Sequence, residues 1–233
     1  MNLFKSLKAL SRFELLLWIL SLITVSISFL ASKEPDYLTL VASLTGVTAL
    51  IFVAKGYVLG QVLTVIFALF YGIISFKFKY YGEMITYLLM TAPMAVMAII
   101  SWVRHPFKNS NEVEVNRLSK GSFILGITLS LIVTMVFFFV LRALGNANLF
   151  TSTISVTTSF LASYLTFVRS PYYALAYGAN DIVLIVLWIM ASVTTPSYLP
   201  MVFCFIMFLV NDLYGFYNWN KMLKKQSKFN FRG

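Results

Sequence analysis

The sequence predicts an all-α polytopic membrane protein with eight transmembrane helices. Three observations lead there. First, 60% of the residues are hydrophobic and 11% are charged, whereas soluble domains carry about 25% charged residues. Second, apolar runs close to the bilayer-spanning length recur along the whole chain. Third, those runs are continuous, whereas membrane-barrel strands alternate apolar and polar residues, which excludes a barrel. The net charge of +10 would suggest nucleic acid on a soluble protein. Here the basic residues lie between spans, as positive-inside topology requires, and no nucleic-acid partner is expected. Cys204 is the single cysteine and lies within an apolar run, where it packs as a small hydrophobe. His105 is the single histidine and falls in a loop, so neither a metal site nor a cofactor is expected.

Each element follows in order. Lys5, Lys8 and Arg12 precede an apolar run at 15–32. That run is too long for a signal-peptide core and no small-residue cleavage site follows, so residues 1–33 read as an N-terminus and a retained extra helix. Lys33-Glu34-Pro35-Asp36 breaks it. Spans at 38–54, 57–76 and 83–103 follow, separated by Lys55-Gly56 and by Lys77–Gly82, with Pro93 inside the last. Residues 38–103 thus form a first triple-helix bundle. Residues 104–121 are the one long polar connection and read as a solvated loop. A linking helix at 122–144 ends at Gly145-Asn146-Ala147-Asn148. A second bundle at 151–219 holds spans at 151–168, 172–192 and 198–219, parted by Arg169-Ser170-Pro171 and Thr194-Thr195-Pro196-Ser197. Residues 220–233 form a basic tail.

Eight spans put both termini on one side. That side holds 14 of the 18 Lys and Arg residues and the other side 4, which predicts that both termini are cytoplasmic. The spans group as one, three, one, three. Val53-Ala54-Lys55-Gly56-Tyr57 stands where Val168-Arg169-Ser170-Pro171-Tyr172 does, and each triplet closes on a tryptophan, Trp102 and Trp219. Three spans plus one linker is an even offset, so the repeats run parallel. That is one of the two repeat designs of transporters, with substrate between the repeats near the midplane.

Polar residues inside the spans mark the candidate site. Tyr173, Tyr177, Asn180 and Trp188 follow helical spacing on the seventh span, with Asp181 beside them. Asn211 and Tyr214 share a face of the eighth, with Asp212 adjacent. In the first bundle Gln61, Thr64 and Tyr71 lie along the third span, and Tyr87, Thr91 and Met94 along the fourth. Aromatic faces with amides suit a heteroaromatic ring joined to a hydroxylated sugar. Each amide also has a structural use, since Asn and Gln join transmembrane helices by hydrogen bonds worth about 0.6–2 kcal/mol.

The chain resembles the PnuC-type vitamin transporters over nearly its whole length. The resemblance rests on the one-three-one-three layout, Tyr81-Gly82-Glu83-Met84 opening the fourth span and Pro93-Met94 within it. It rests also on the closing Asn211-Asp212-Leu213-Tyr214-Gly215-Phe216-Tyr217-Asn218-Trp219. It implies two parallel triple-helix bundles, similar in plan to the sugar-transporting SWEETs, assembled as a homotrimer in the bacterial cytoplasmic membrane. It also implies facilitated diffusion of nicotinamide riboside, an NAD precursor, with a cytoplasmic kinase trapping the cargo. Nicotinamide riboside members carry Trp-x-x-Trp before an Asn or Asp on the second-last span. Here Ala174 and Tyr177 hold those positions ahead of Asp181. The family's Asn and Gln of the fourth span stand as Tyr87 and Ala95, and Asn211 is retained.

The expected function is therefore uptake of a small-molecule vitamin or nucleoside, nicotinamide riboside first. Thiamine, riboflavin and deoxynucleosides are the alternative cargoes, and a proton-coupled carrier using Asp181 or Asp212 is the alternative mechanism. A membrane enzyme would need a nucleophile–base pair, a metal cluster or a phosphate loop, and the sequence has none of these.

Overall fold

Ser11 starts the first long helix with a capping box. Its hydroxyl accepts from the Glu14 amide, and the Glu14 carboxylate accepts from the Ser11 amide. In this computed structural model residues 3–32, 36–77, 80–108, 110–146 and 148–230 are described. Lys33-Glu34-Pro35, Phe78, Lys79, Ala147 and Arg232, which figure in the sequence reading, lie outside them.

The helices are α1 (Leu3–Lys8), α2 (Arg12–Leu30), α3 (Tyr37–Ala54), α4 (Val58–Lys77), α5 (Tyr81–Ile85), α6 (Ala92–Arg104), α7 (Lys120–Ala143), α8 (Leu149–Phe167), α9 (Tyr173–Thr194) and α10 (Leu199–Asn230). A π-helical stretch, Thr86–Thr91, joins α5 to α6. The sequence suggests one uninterrupted helix there. Pro93 has no amide to donate, and the π geometry re-registers the ladder just before it. No β-strand forms among the described residues; two isolated bridges tie loop segments. Seven of the described helices, counting Tyr81–Arg104 as one, are long and apolar enough to cross a membrane. The eighth long helix, α8, is rich in serine and threonine and is not among those seven.

The long helices pack in a connected series. Helix α3 packs on α4, and α4 on α6; α8 packs on α9, and α9 on α10; α10 also meets α3, and α6 meets α8. Helix α2 lies against α3 and α10, held by a Trp18–Thr48 hydrogen bond of 3.1 Å and a Lys55–Glu14 ion pair of 2.9 Å. Helix α7 packs chiefly on α8, where the missing side chain of Gly126 lets the Tyr164 ring lie against the backbone. Its remaining face is a band of exposed Ile, Leu, Met, Val and Phe, suited to lipid.

The turns that open each bundle have the same geometry. Helices α3 and α8 both end in a Schellman motif with a left-handed residue, Gly56 at φ 72° and Arg169 at φ 60°. Gly56 and Arg169 donate to Val53 and Thr166; Tyr57 and Ser170 donate to Phe52 and Leu165. Gly56 therefore corresponds to Arg169, two residues earlier than the Pro171 partner suggested by aligning Tyr57 with Tyr172. The identical tyrosines misled the sequence alignment, because the positive φ sets the turn. The closing tryptophans also match. The Trp219 indole donates to Val53 O (2.9 Å) and the Trp102 indole to Thr166 O (3.0 Å), each crossing to the other bundle. Asn218 and Ser101, one residue earlier, donate to Ala54 O and Phe167 O.

The long connection is largely exposed, as a solvated loop would be, but it also turns three apolar side chains inward. Phe107, Val113 and Val115 are buried. Val113 donates to Gly56 O and Asn116 to Arg169 O, so one segment caps both turns. Gln226, itself buried, accepts from the Val115 amide and donates to Val113 O. Burial draws the Arg169 guanidinium below its usual range, with Glu114 opposing. The partner Gln226 comes from α10, which does not end at Trp219. Its 32 residues extend about 48 Å at 1.5 Å per residue, well past the roughly 30 Å hydrocarbon core.

Candidate functional site

Between the bundles lies a small cavity of about 50 Å³, room for a water or two at about 30 Å³ each. Helix α3 contributes Gly46, Ala49, Leu50 and Val53; α4 contributes Gln61, Thr64 and Phe67. Tyr87 and Thr91 come from the π-helical stretch, Tyr177, Asn180 and Asp181 from α9, and Phe208 and Asp212 from α10. The π-helical turn thus supplies two side chains, Tyr87 and Thr91, to the lining. Gly46 matters because an added Cβ would stand 2.4 Å from Phe208 Cζ and 3.0 Å from Phe67.

Polar groups line this space in two ways. Asn180 Oδ1 accepts from Ser155, Thr158 and Ser159 at 3.2, 2.9 and 3.0 Å, so α8 fixes its orientation. This explains the hydroxyls of α8. The Tyr177 hydroxyl meets Ser163 Oγ at 3.1 Å. The Asp181 and Asp212 carboxyl groups both line the cavity, and Asp181 Oδ2 has no hydrogen-bond partner. Both residues are 3% exposed.

Aromatic columns close the cavity at both ends. Towards the long loop, Tyr177, Tyr173, Trp219 and Trp102 follow one another with centroid separations of 6.3, 4.8 and 5.3 Å. Towards the opposite, hairpin end, Tyr87 meets Tyr71 at 4.4 Å, and the Trp188 indole donates to Tyr71 Oη at 3.0 Å. Tyr80 and Tyr198 pack edge-on against Trp188. Burial, then Tyr198 and Glu83, push the Tyr80 phenol above its usual range. The cavity is therefore closed off by aromatic side chains at both ends, and a guest larger than its present volume enters only when one column parts.

The structure brings together Gln61, Tyr87, Thr91, Tyr177, Asn180 and Asp181 from the residues singled out in the sequence. Tyr173, Tyr71 and Trp188 belong to the closing columns. Asn211 and Tyr214 face elsewhere. Asn211 Nδ2 donates to Ser21 of α2 at 3.0 Å, and Tyr214 donates to Glu14 at 2.9 Å. Helical spacing placed Asn211 on the inner face and Asp212 beside it. The extra helix α2 reverses this, since it covers the Asn211 side. Phe67 and Phe208 were missed because nothing in the sequence separates a lining phenylalanine from a core one. Glu83, a charge inside a span, does not line the cavity; it is 2% exposed and its Oε2 has no hydrogen-bond partner. Among the described residues no group of three His, Cys, Asp or Glu could hold a metal ion.

A multi-pass helical membrane protein with an occluded, aromatic and polar cavity between two bundles is built as a transporter. Residues 36–221 match the family model described as nicotinamide mononucleotide transporter, and the chain belongs to that family. The family is one of membrane transporters and not of enzymes. The chain is 27% identical over 215 residues to the nicotinamide riboside transporter PnuC of Neisseria mucosa, covering 90% of this chain and 82% of the relative. It is 24% identical over 211 residues to the protein of the same name from Haemophilus influenzae, covering 89% and 90%. Its fold matches the crystal structure of the vitamin B3 transporter PnuC with a TM-score of 0.82, 27% identity and 94% of each chain covered.

Proposed function

We propose that this protein carries nicotinamide riboside across the bacterial cytoplasmic membrane by facilitated diffusion. The observation that carries the reading is the cavity between the bundles, whose aromatic, amide and carboxyl walls offer the chemistry a ring joined to a sugar needs and which, at about 50 Å³, widens to admit one. The relatives named as nicotinamide riboside transporters support it. The ring stacks between Tyr177 and Tyr87, Gln61 and Asn180 bind the carboxamide or ribose hydroxyls, and the two aromatic columns part alternately. Trp188, Tyr71 and Tyr173 act in the columns. Ala174 and Tyr177 in place of paired tryptophans leave thiamine, riboflavin or a deoxynucleoside as the competing cargoes.

The arrangement we propose is eight spans grouped one, three, one, three, with α8 crossing beside the other seven. The matched turns and cross-bundle tryptophans support two parallel repeats: 38–103 and 151–219, joined by the 122–144 helix. Residues 1–33 supply the N-terminus and the extra first helix, and both termini, with the 220–233 tail, lie at the end that carries residues 104–121. That end faces the cytoplasm, on the bias of basic residues. The working assembly is a homotrimer, and a cytoplasmic kinase traps the cargo.

Uptake of labelled nicotinamide riboside into proteoliposomes with no imposed ion gradient tests this. The expected result is saturable entry to the equilibrium level, unchanged by a protonophore. No uptake of any of the four cargo classes by correctly inserted protein would refute transport. A second reading, proton coupling, is favoured by two buried carboxyl groups, Asp181 and Asp212, lining one cavity. It requires that a protonophore abolish accumulation against a gradient.

A further inference from the structure

Beyond Trp219, α10 borders a cleft of about 480 Å³, within the roughly 300–1,000 Å³ of small-molecule sites. Three segments meet there. Arg117 and Leu118 come from just before α7, and Pro171 and Tyr172 from just before α9. The third is the face of α10 that carries Lys224, Ser227 and Lys228. Lys224 and Lys228 are four residues apart and so share that face. Arg117 reaches across to it, where its Nη2 donates to Ser227 Oγ at 3.3 Å. That uses one of five guanidinium donors.

Charge sets this cleft apart. Its lining holds three cations and no acid. The connection has acids to offer, but the fold sends them elsewhere. Glu112 pairs with Lys225 at 3.6 Å, and Glu114 acts electrostatically on Arg169. Among the described residues the only ion pairs are Lys225–Glu112 and Lys55–Glu14. Arg117, Lys224 and Lys228 therefore have no acidic partner there, and like charges gathered in one cleft repel. Orientation by positive charge requires only their number on one side of the membrane. It does not require that two separate segments bring them together.

Depth and lining identify the guest. Lys224 stands five residues past Trp219, about 7.5 Å along the helix axis. A headgroup layer is roughly 5–8 Å thick on each side of the hydrocarbon. Leu118, Leu223 and the Tyr172 ring also line the cleft, and Tyr172 is 51% exposed, as an interfacial aromatic is. A soluble anion needs the cations alone. A phospholipid brings a phosphate to them and an esterified glycerol to the apolar lining.

We propose that this cleft binds the headgroup of an anionic phospholipid, its phosphate held by the Arg117 fork between Lys224 and Lys228. The bound headgroup bridges the long connection to α10, beside the Gln226 bonds to Val113 and Val115. It does so whatever the cargo.

Native mass spectrometry of the full chain in neutral detergent tests this. The probes are dioleoyl phosphatidylglycerol and dioleoyl phosphatidylcholine, alike in chains and different in charge. The anionic lipid is expected to bind at least about tenfold more tightly. Arg117→Gln, Lys224→Gln and Lys228→Gln should each weaken it about fivefold, and the triple variant should bind the two lipids alike. A control triple, Arg12→Gln with Arg104→Gln and Lys108→Gln, removes the same charge from outside the cleft and should keep the preference within about twofold. All six side chains are exposed, so the variants keep the fold. Equal binding of the two lipids by the parent chain overturns the proposal. An equal loss in the control triple also overturns it, by reducing the attraction to one spread over the whole surface. Displacement of the lipid by inorganic phosphate at equal concentration does the same, by making the ligand a soluble anion.

Discussion

Replacing Trp219 or Trp102 by phenylalanine should open the cavity towards the loop end. Each indole is buried and makes one hydrogen bond across the bundles, to Val53 O or Thr166 O. Those carbonyls also accept from Gly56 and Arg169, so losing the indole N–H strands no acceptor. The cost is then one net hydrogen bond plus some ring contact, about 1–1.5 kcal/mol. If both bonds exist only in the closed state, each variant raises the open population about five- to tenfold. A cysteine at Thr64, on the cavity wall, reports this in a Cys204→Ser background. Labelling by a membrane-impermeant maleimide applied from the loop end should accelerate by that factor in both variants. The double variant should gain less than the product, because the two rings touch at 5.3 Å. Rates within twofold of the parent, or acceleration from the hairpin end alone, would refute the assignment of these tryptophans as a latch.

Other outcomes follow from the same geometry. Lys55→Met leaves Glu14 buried without its cation and should cost about 3–5 kcal/mol in thermal unfolding. Adding Glu14→Gln should recover much of this, and an additive double variant would show that the pair carries nothing. Gly46→Val drives a side chain into Phe208 and Phe67 and should abolish cargo binding while circular dichroism stays helical. Retained affinity would place the ligand elsewhere. Tyr177→Ala should weaken binding by about 1–3 kcal/mol through lost stacking, read by calorimetry. Asn211→Ala removes a bond to α2 and should lower stability by about 1 kcal/mol with cargo affinity within twofold; a larger affinity loss would return Asn211 to the site.

Much of this was legible in the residues because lipid makes hydropathy a strong signal. Span positions followed from continuous apolar runs, and Asp181 stood out because a carboxylate inside a span needs a reason. What escaped depended on packing between distant segments. Nothing local to Val113 or Gln226 says that a charged connection will fold inward and exchange hydrogen bonds with α10. The choice between Asn211 and Asp212 turned on where α2 docks, which helical periodicity along α10 cannot supply. The likeness of the two turns was visible by spacing, yet their register is set by the left-handed residues Gly56 and Arg169, and an arginine does not announce a positive φ. Phe67 and Phe208 became cavity walls only through the space that Gly46 leaves.

Counterflow tests the central claim, one cavity opening alternately to either side, most directly. Proteoliposomes are preloaded with unlabelled nicotinamide riboside, and labelled compound is added outside with no ion gradient. The account predicts a transient accumulation of label above its external concentration, lost in Gly46→Val. Label entering no faster than into empty vesicles, with the protein correctly inserted, would contradict it.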